Sequence, residues 1–130
     1  MRRRLTEAHV GHLATADKAG RPHVVPVTFA LRGDELYFAV DAKPKRTTDL
    51  KRLRNITANP NVSVLVDHYE DNWQRLWWVR IDGKARTVDG PVAEHGLDAL
   101  ADKYEQYRRH RPPGPVVAVS IDRITAWSAE

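Results

Sequence analysis

Leu76-Trp77-Trp78-Val79-Arg80-Ile81-Asp82-Gly83-Lys84-Ala85-Arg86-Thr87-Val88 is the stretch that decides the fold class. Trp78, Arg80 and Asp82 fall on one side of an extended chain, and Trp77, Val79 and Ile81 on the other. That is the two-residue period of a long strand. Asp82-Gly83 is the expected place of a β-bulge, because glycine weakens regular pairing there. Upstream, Val62 to Val66 is a second β-rich run, joined to the first by a polar loop from His68 to Gln74.

The flanks extend the same pattern. Gly11 to Thr15 reads as a short apolar strand. Asp17 to Pro22 is a turn in which Gly20 is free to take positive φ. His23 to Leu31 reads as one strand, Arg32-Gly33-Asp34 as a tight reversal, and Glu35 to Val40 as the return. These pieces form an antiparallel meander. Downstream, Gly90-Pro91 opens a helix whose apolar face is Leu97, Leu100, Ala101, Tyr104 and Tyr107. Arg108, Arg109 and Arg111 suit its end electrostatically, and Pro112-Pro113-Gly114-Pro115 stops it. Val116 to Trp127 is the last strand. The order β-β-β-α-β-β-α-β lacks the βαβ alternation of a doubly wound sheet. It predicts a mainly β, α+β protein: a small six-stranded antiparallel barrel with two helices.

The other helix lies in Asp41 to Pro60, where Leu50, Leu53 and Ile56 form an apolar stripe, with Thr47 or Thr48 as its expected cap and Asp49 in its first turn. Between Ala42 and Pro60, six cations (Lys43, Lys45, Arg46, Lys51, Arg52, Arg54) stand against one carboxylate, Asp49. That local +5 exceeds the net +4 of the whole chain, so the positive charge is focused in one segment. Lys51, Arg52 and Arg54 fall off the stripe and are expected to project outward in part. A solvated helical face accounts for this pattern, and so does a phosphate site; both readings stand here.

Composition narrows the chemistry. The 130 residues suit one domain, 1–130, with a core that needs no staples. Cysteine is absent, which excludes disulfides, thiolate zinc sites and thiol catalysis. No apolar run approaches the roughly 18 residues of a membrane span. Met1-Arg2-Arg3-Arg4-Leu5-Thr6-Glu7 has no apolar segment behind it, so the expectation is a cytoplasmic protein without a signal peptide. Ser63, Ser120 and Ser128 lie outside any nucleophile-elbow context. Six histidines show no metal-binding spacing, although His23 and His68 could meet in space. Asp67, Glu70 and Asp71 share one polar loop and read as solvated charges. No GxGxxG or P-loop is present. Phosphate, if bound, must be held by lysine and arginine side chains and a helix N-terminus. No catalytic side chain and no metal ligand are predicted. Trp77 and Trp78 point to opposite faces, so one fills the core and the other meets a partner chain or a flat ligand.

Taken in order, Gly11-His12-Leu13-Ala14-Thr15, Gly20-Arg21-Pro22-His23-Val24-Val25-Pro26-Val27, Leu36-Tyr37-Phe38-Ala39-Val40-Asp41, Lys51-Arg52-Leu53-Arg54-Asn55-Ile56 with Asn59-Pro60-Asn61-Val62, and Val79-Arg80-Ile81-Asp82-Gly83-Lys84-Ala85 resemble the pyridoxamine 5′-phosphate oxidase-like, flavin-binding split-barrel family. The likeness is nearer to its branch of F420-dependent oxidoreductases and covers most of residues 10 to 90. It implies a homodimer of split β-barrels with a flavin or deazaflavin in a groove at the dimer interface. By position, Arg52 matches the family's phosphate-binding lysine and Lys51 its basic neighbour, with Asn55 in the same helix. Arginine in place of lysine keeps the phosphate contact and can make it bidentate. Lys45 and Arg46 would share the phosphate or reach a polyglutamate tail. Pro26, Val27 and Thr28 would pass the tricyclic ring, largely through backbone contacts, and Trp73 would lie near the cofactor. The chemistry would then belong to the cofactor, which fits the lack of a catalytic side chain.

Three readings follow. One is an F420-dependent oxidoreductase acting on a small organic molecule. Another is the same fold binding FMN or haem. The last is a basic module that binds nucleic acid, which is disfavoured because aromatics are not interleaved with the basic run. The expected partners are a small-molecule substrate and a second copy of the chain, with no nucleic acid and no membrane.

Overall fold

The computed structural model describes residues 1–40 and 50–130. Its elements in chain order are α1 (Arg2–Glu7), β1 (Gly11–Ala16), β2 (Pro22–Val27), β3 (Ala30–Arg32), β4 (Glu35–Ala39), α2 (Lys51–Ala58) and β5 (Asn61–His68). A single 3₁₀ turn (Trp73–Arg75), β6 (Trp77–Val88), α3 (Gly90–Lys103), α4 (Glu105–Arg109) and β7 (Val116–Ser128) complete it. The strands form one antiparallel sheet in the order β2-β1-β5-β6-β7-β4-β3.

The architecture is the α+β split barrel expected, with seven strands where the sequence pattern predicts six, and four α-helices where it predicts two. The run from His23 to Leu31 is two strands. Thr28 and Phe29 interrupt it, and the Phe29 backbone leaves the ladder: its N–H donates to the Tyr104 hydroxyl at 3.1 Å, and that hydroxyl lies 3.1 Å from the Phe29 carbonyl. A side chain thus replaces a neighbouring strand. The expected helix beyond Gly90 is also two, broken where Tyr104 takes extended φ/ψ of −115° and 120°. α1 is short and rich in arginine, and carries too few apolar residues to show a period. It is held by Leu5, which is fully buried.

This break makes the barrel. β2 and β3 are the two ends of the sheet order, yet only two residues separate them. Three residue steps reach at most about 10 Å, so the sheet must curl until its ends approach. No β2–β3 ladder joins those ends among the described residues, and the gap is the split. Inside the curl lie Leu13, Val27, Phe29, Leu36, Phe38, Val64, Val79, Ile81, Val117 and Val119, with Ile56 from α2. Outside, Leu97 and Leu100 of α3, Tyr104 at the break and Tyr107 of α4 pack with Tyr37, Val116 and Ala118.

Local chemistry explains the register. β6 alternates as expected, with Val79 and Ile81 fully buried. Its pairing with β7 slips between Asp82 and Gly83, where the bulge was expected. A Cβ on Gly83 would collide with the Ser120 carbonyl oxygen and stand 2.9 Å from Val119 Cγ1. Gly20 and Gly33 turn with φ of 86° and 58°. Leu50 holds the cap position of α2, so the helix begins later than a Thr47 or Thr48 cap implies; Thr47, Thr48 and Asp49 lie outside the described residues.

Candidate functional site

The buried side of α2 is where the site starts. Ile56 and Asn55 are buried and Leu53 packs on the core. Arg52 precedes Asn55 and Ile56 by three and four positions, so it shares their face. Of the three cations off the apolar stripe, which were expected to project outward in part, Arg52 is the one that is half-buried. The stripe of 50, 53 and 56 is only one edge of a broader buried surface, and Arg52 sits on it. Lys51 and Arg54 are exposed, as expected. Asn55 donates from Nδ2 to Thr15 Oγ1 at 3.0 Å, which ties α2 to β1.

Two buried side-chain atoms among the described residues have no hydrogen-bond partner: Arg52 Nε and His23 Nδ1. They belong to one neighbourhood. His23 lies directly opposite Thr15 in the β1–β2 ladder, and Thr15 is bonded to Asn55, one helical turn from Arg52. His23 has the inward parity of Val25 and Val27, so it faces the barrel mouth that α2 covers. Burial holds the Arg52 guanidinium below the usual arginine value. A partly desolvated cation and an unpaired imidazole nitrogen on the same side of the barrel are the features here that an anion would suit.

Sequence reading missed His23. The available signal was parity: a histidine at an inward position of an apolar strand needs a polar partner. The suggested meeting of His23 and His68 does not occur. His68 bonds Glu70 and stacks on Trp77 with ring centroids 6.2 Å apart.

β2 supplies the second component. Among the described residues it pairs only with β1, and one edge of its backbone has no described strand beside it. Pro22 and Pro26 suit such an edge, since proline lacks the donor that a central strand needs. The Val27 side chain is in the core, so only its backbone can meet a ligand. Pro26 is exposed and Thr28 half-buried, with Thr28 Oγ1 2.8 Å from the Tyr107 hydroxyl. Lys45 and Arg46 lie outside the described residues, as does Lys43.

The outer face of β2, β1, β5 and β6 carries a third feature, a groove of about 510 Å³ lined by His12, Val24, Leu65, Tyr69, Trp78 and Arg80, among others. Trp78 faces this groove and Trp77 packs on the core, which resolves their opposite parity. Trp73 stands 76% exposed on the 3₁₀ turn and is not among the groove-lining residues. Within one chain the structure does not bring Trp73 to Arg52. Among the described residues, no three His, Asp or Glu side chains are grouped to hold a metal ion. No helix among them is long and apolar enough to cross a membrane.

A curled antiparallel sheet split at an edge strand, with a helix packed on it, defines the class as split barrels. The chain belongs to the pyridoxamine 5′-phosphate oxidase family, whose model matches residues 1–128. Solved structures share the fold. A FAD-binding protein from Mesorhizobium loti is 24% identical, with a TM-score of 0.71 over 96% of this chain and 87% of that one. The heme storage protein HutZ from Vibrio cholerae is 16% identical, with a TM-score of 0.74 over 96% and 88%. A conserved hypothetical protein from Mycobacterium tuberculosis is 21% identical, with a TM-score of 0.74 over 97% and 81%. No curated protein sequence matches the chain.

Proposed function

We propose that this protein is an oxidoreductase that uses the deazaflavin coenzyme F420 to transfer hydride to a small organic substrate, working as a homodimer. The observation that carries the reading is the pair of unpartnered buried nitrogens, Arg52 Nε and His23 Nδ1, beside the free edge of β2. A phosphate oxygen accepts from the Arg52 guanidinium, and its negative charge offsets the desolvation of Arg52. The residues present therefore fit a phosphorylated, flat cofactor.

Bound coenzyme supplies the hydride chemistry. The chain's own residues bind and orient. Arg52 and His23 hold the phosphate, Lys51 adds positive potential, and Asn55 keeps α2 seated through Thr15. The β2 backbone from Pro26 to Thr28 offers hydrogen bonds along the split. The apolar and aromatic wall of Val24, Leu65, Tyr69 and Trp78 matches a partner chain, whose docking excludes water from the same region; Trp73 then comes from that copy.

The preference for F420 rests on the likeness of the sequence to that branch and on the basic segment Lys43–Arg46, which suits a polyanionic tail. FMN is the second reading, favoured by family membership and by the FAD-binding relative; its phosphate suits the same two nitrogens. Parallel titration with F420 and FMN, followed by tryptophan fluorescence, decides between them. Saturable F420 binding with none for FMN is expected. Binding of FMN alone transfers the assignment to FMN. Binding of neither, with retardation of DNA at moderate salt, overturns the enzyme reading.

A further inference from the structure

Lys103 ends α3 and has no part in the site built on Arg52 and His23. Beside it a cleft of about 340 Å³ opens between α1, β3 and α3, lined by Thr6, Ala30, Leu31, Arg32, Asp102 and Lys103, among others. None of these six belongs to α2, β1 or β2.

The surroundings of the amine are unusual for a lysine. Among the described residues it has no ion pair; Asp102, the acid of the same cleft, pairs with Arg32 instead. Its Nζ donates to the Leu5 carbonyl, but at 3.3 Å this bond is longer than the roughly 2.7–3.2 Å usual for N–H···O. Its other contacts are ring faces, with the Phe29 centroid at 4.0 Å and the Tyr104 centroid at 5.4 Å. Thr6 and Ala30, next in the chain to Leu5 and Phe29, line the cleft, so the amine sits at its wall. Lys103 is half-buried, and a small molecule that enters the cleft can reach it.

An ordinary solvated lysine is a poor nucleophile, because its lone pair carries a proton. Burial pushes this amine down to about 8. The ring faces favour the ammonium and offset part of that effect. At pH 7.5 at most about a quarter of such an amine is neutral, against about a thousandth of an unperturbed lysine. For packing alone, an apolar side chain of similar length would avoid the desolvation cost. Of the charged groups lining the cleft, Arg32 and Lys103 stand against Asp102. That single net positive charge suits a monoanion.

We propose that Lys103 is the nucleophile of a second ligand site, which takes a small carbonyl compound bearing one acidic group and holds it as an imine. The lone pair of the neutral amine adds to the carbonyl carbon. Both nitrogen protons pass to the carbonyl oxygen, which leaves as water, and a C=N bond to Nζ remains. No oxidant or reductant is consumed. The acidic group of the ligand lies towards Arg32. The site stands whether the cofactor of the other site is F420, FMN or neither.

The test uses glyoxylate as probe and acetaldehyde as its uncharged counterpart, on the whole chain. Cyanoborohydride reduces any imine to a stable secondary amine, which peptide mapping locates. At pH 7.5 glyoxylate should label Lys103 at least roughly tenfold faster than exposed Lys84, because more of the amine is neutral. The rate should level off as glyoxylate rises. Arg32→Gln should lose the preference for glyoxylate over acetaldehyde while Lys103 still reacts with acetaldehyde. Without reductant, glyoxylate should raise the Tm of the wild type but not of Lys103→Arg, which keeps the charge. Labelling of Lys103 no faster than of Lys84 overturns the proposal, as does a rate that stays proportional to glyoxylate. An unchanged preference in Arg32→Gln overturns the anionic class of ligand. An equal gain in Tm in Lys103→Arg overturns the imine.

Discussion

Arg52 carries a donor that is buried and unmatched in the chain alone. An unsatisfied buried donor costs about 1–3 kcal/mol, more when charged. Arg52→Ala should therefore weaken cofactor binding by roughly 1–3 kcal/mol, the worth of a charge-assisted hydrogen bond, with no loss of stability in denaturant titrations of the free protein. Equal affinity in wild type and variant would sink the phosphate assignment. Lys103 poses the same problem on the other side of the barrel. Its Nζ lies 4.0 Å from the Phe29 ring centroid and donates to the Leu5 carbonyl at 3.3 Å. Burial pushes the amine down to about 8 from 10.5. The unfolded chain holds this proton more tightly, so the penalty is complete below pH 8 and fades as pH rises towards 10.5. Lys103→Met should be the more stable protein at pH 7, and the gap should narrow by pH 10. A gap that does not change with pH would mean the ring faces compensate the charge fully.

Among the elements, the bulge in β6 and the hub around Tyr104 bear most of the geometry. Gly83→Ala forces a methyl against the Ser120 carbonyl and the Val119 side chain. The urea midpoint should fall with unchanged slope, at a cost of about 1–3 kcal/mol or more. Gly96 is similar, since a Cβ there would lie 2.7 Å from Tyr37 Cδ1, where α3 meets β4. Tyr104→Phe removes the acceptor of the Phe29 N–H in a buried setting and should cost roughly 1–3 kcal/mol. Its effect should centre on the split, seen as faster amide exchange at Phe29 than in β6.

For the whole molecule, the outer groove joins exposed and half-exposed apolar surface on one face. Val24 is 61% exposed, Tyr69 lies across the groove, and Trp127 pairs with Trp78 on adjoining strands. Such a patch is the kind of surface that a partner covers. Light scattering should give the mass of a dimer, and Val24→Glu should shift it towards the monomer. A wild-type monomer would leave the cofactor groove without its second wall. The chain's charge is compatible with this, because cations on the barrel are largely paired: Arg86 with Glu35, Lys84 with Asp122, and Arg32 with Asp102.

The period-2 alternation of β6, the Asp82-Gly83 bulge and the tyrosine-bearing face of the α3–α4 segment were all legible in the chain, because each depends on residues close in sequence; the order of strands in the sheet was not, since it depends on pairing between distant segments. Arg52 was singled out among the cations only by the family resemblance. Its orientation was not legible. A stripe drawn through 50, 53 and 56 misses a residue whose face is defined by Asn55, and Asn55 is buried only because Thr15, forty positions away, accepts its hydrogen bond. The division of His23–Leu31 into two strands likewise depends on the Tyr104 hydroxyl, and the placing of His23 opposite Thr15, which bonds Asn55 of α2, depends on the β1–β2 register. Local pattern determined which segments fold as strand or helix and where charge gathers. Long-range hydrogen bonds and the curl of the sheet decided which polar atoms were left without partners, and the proposed site is built on those atoms.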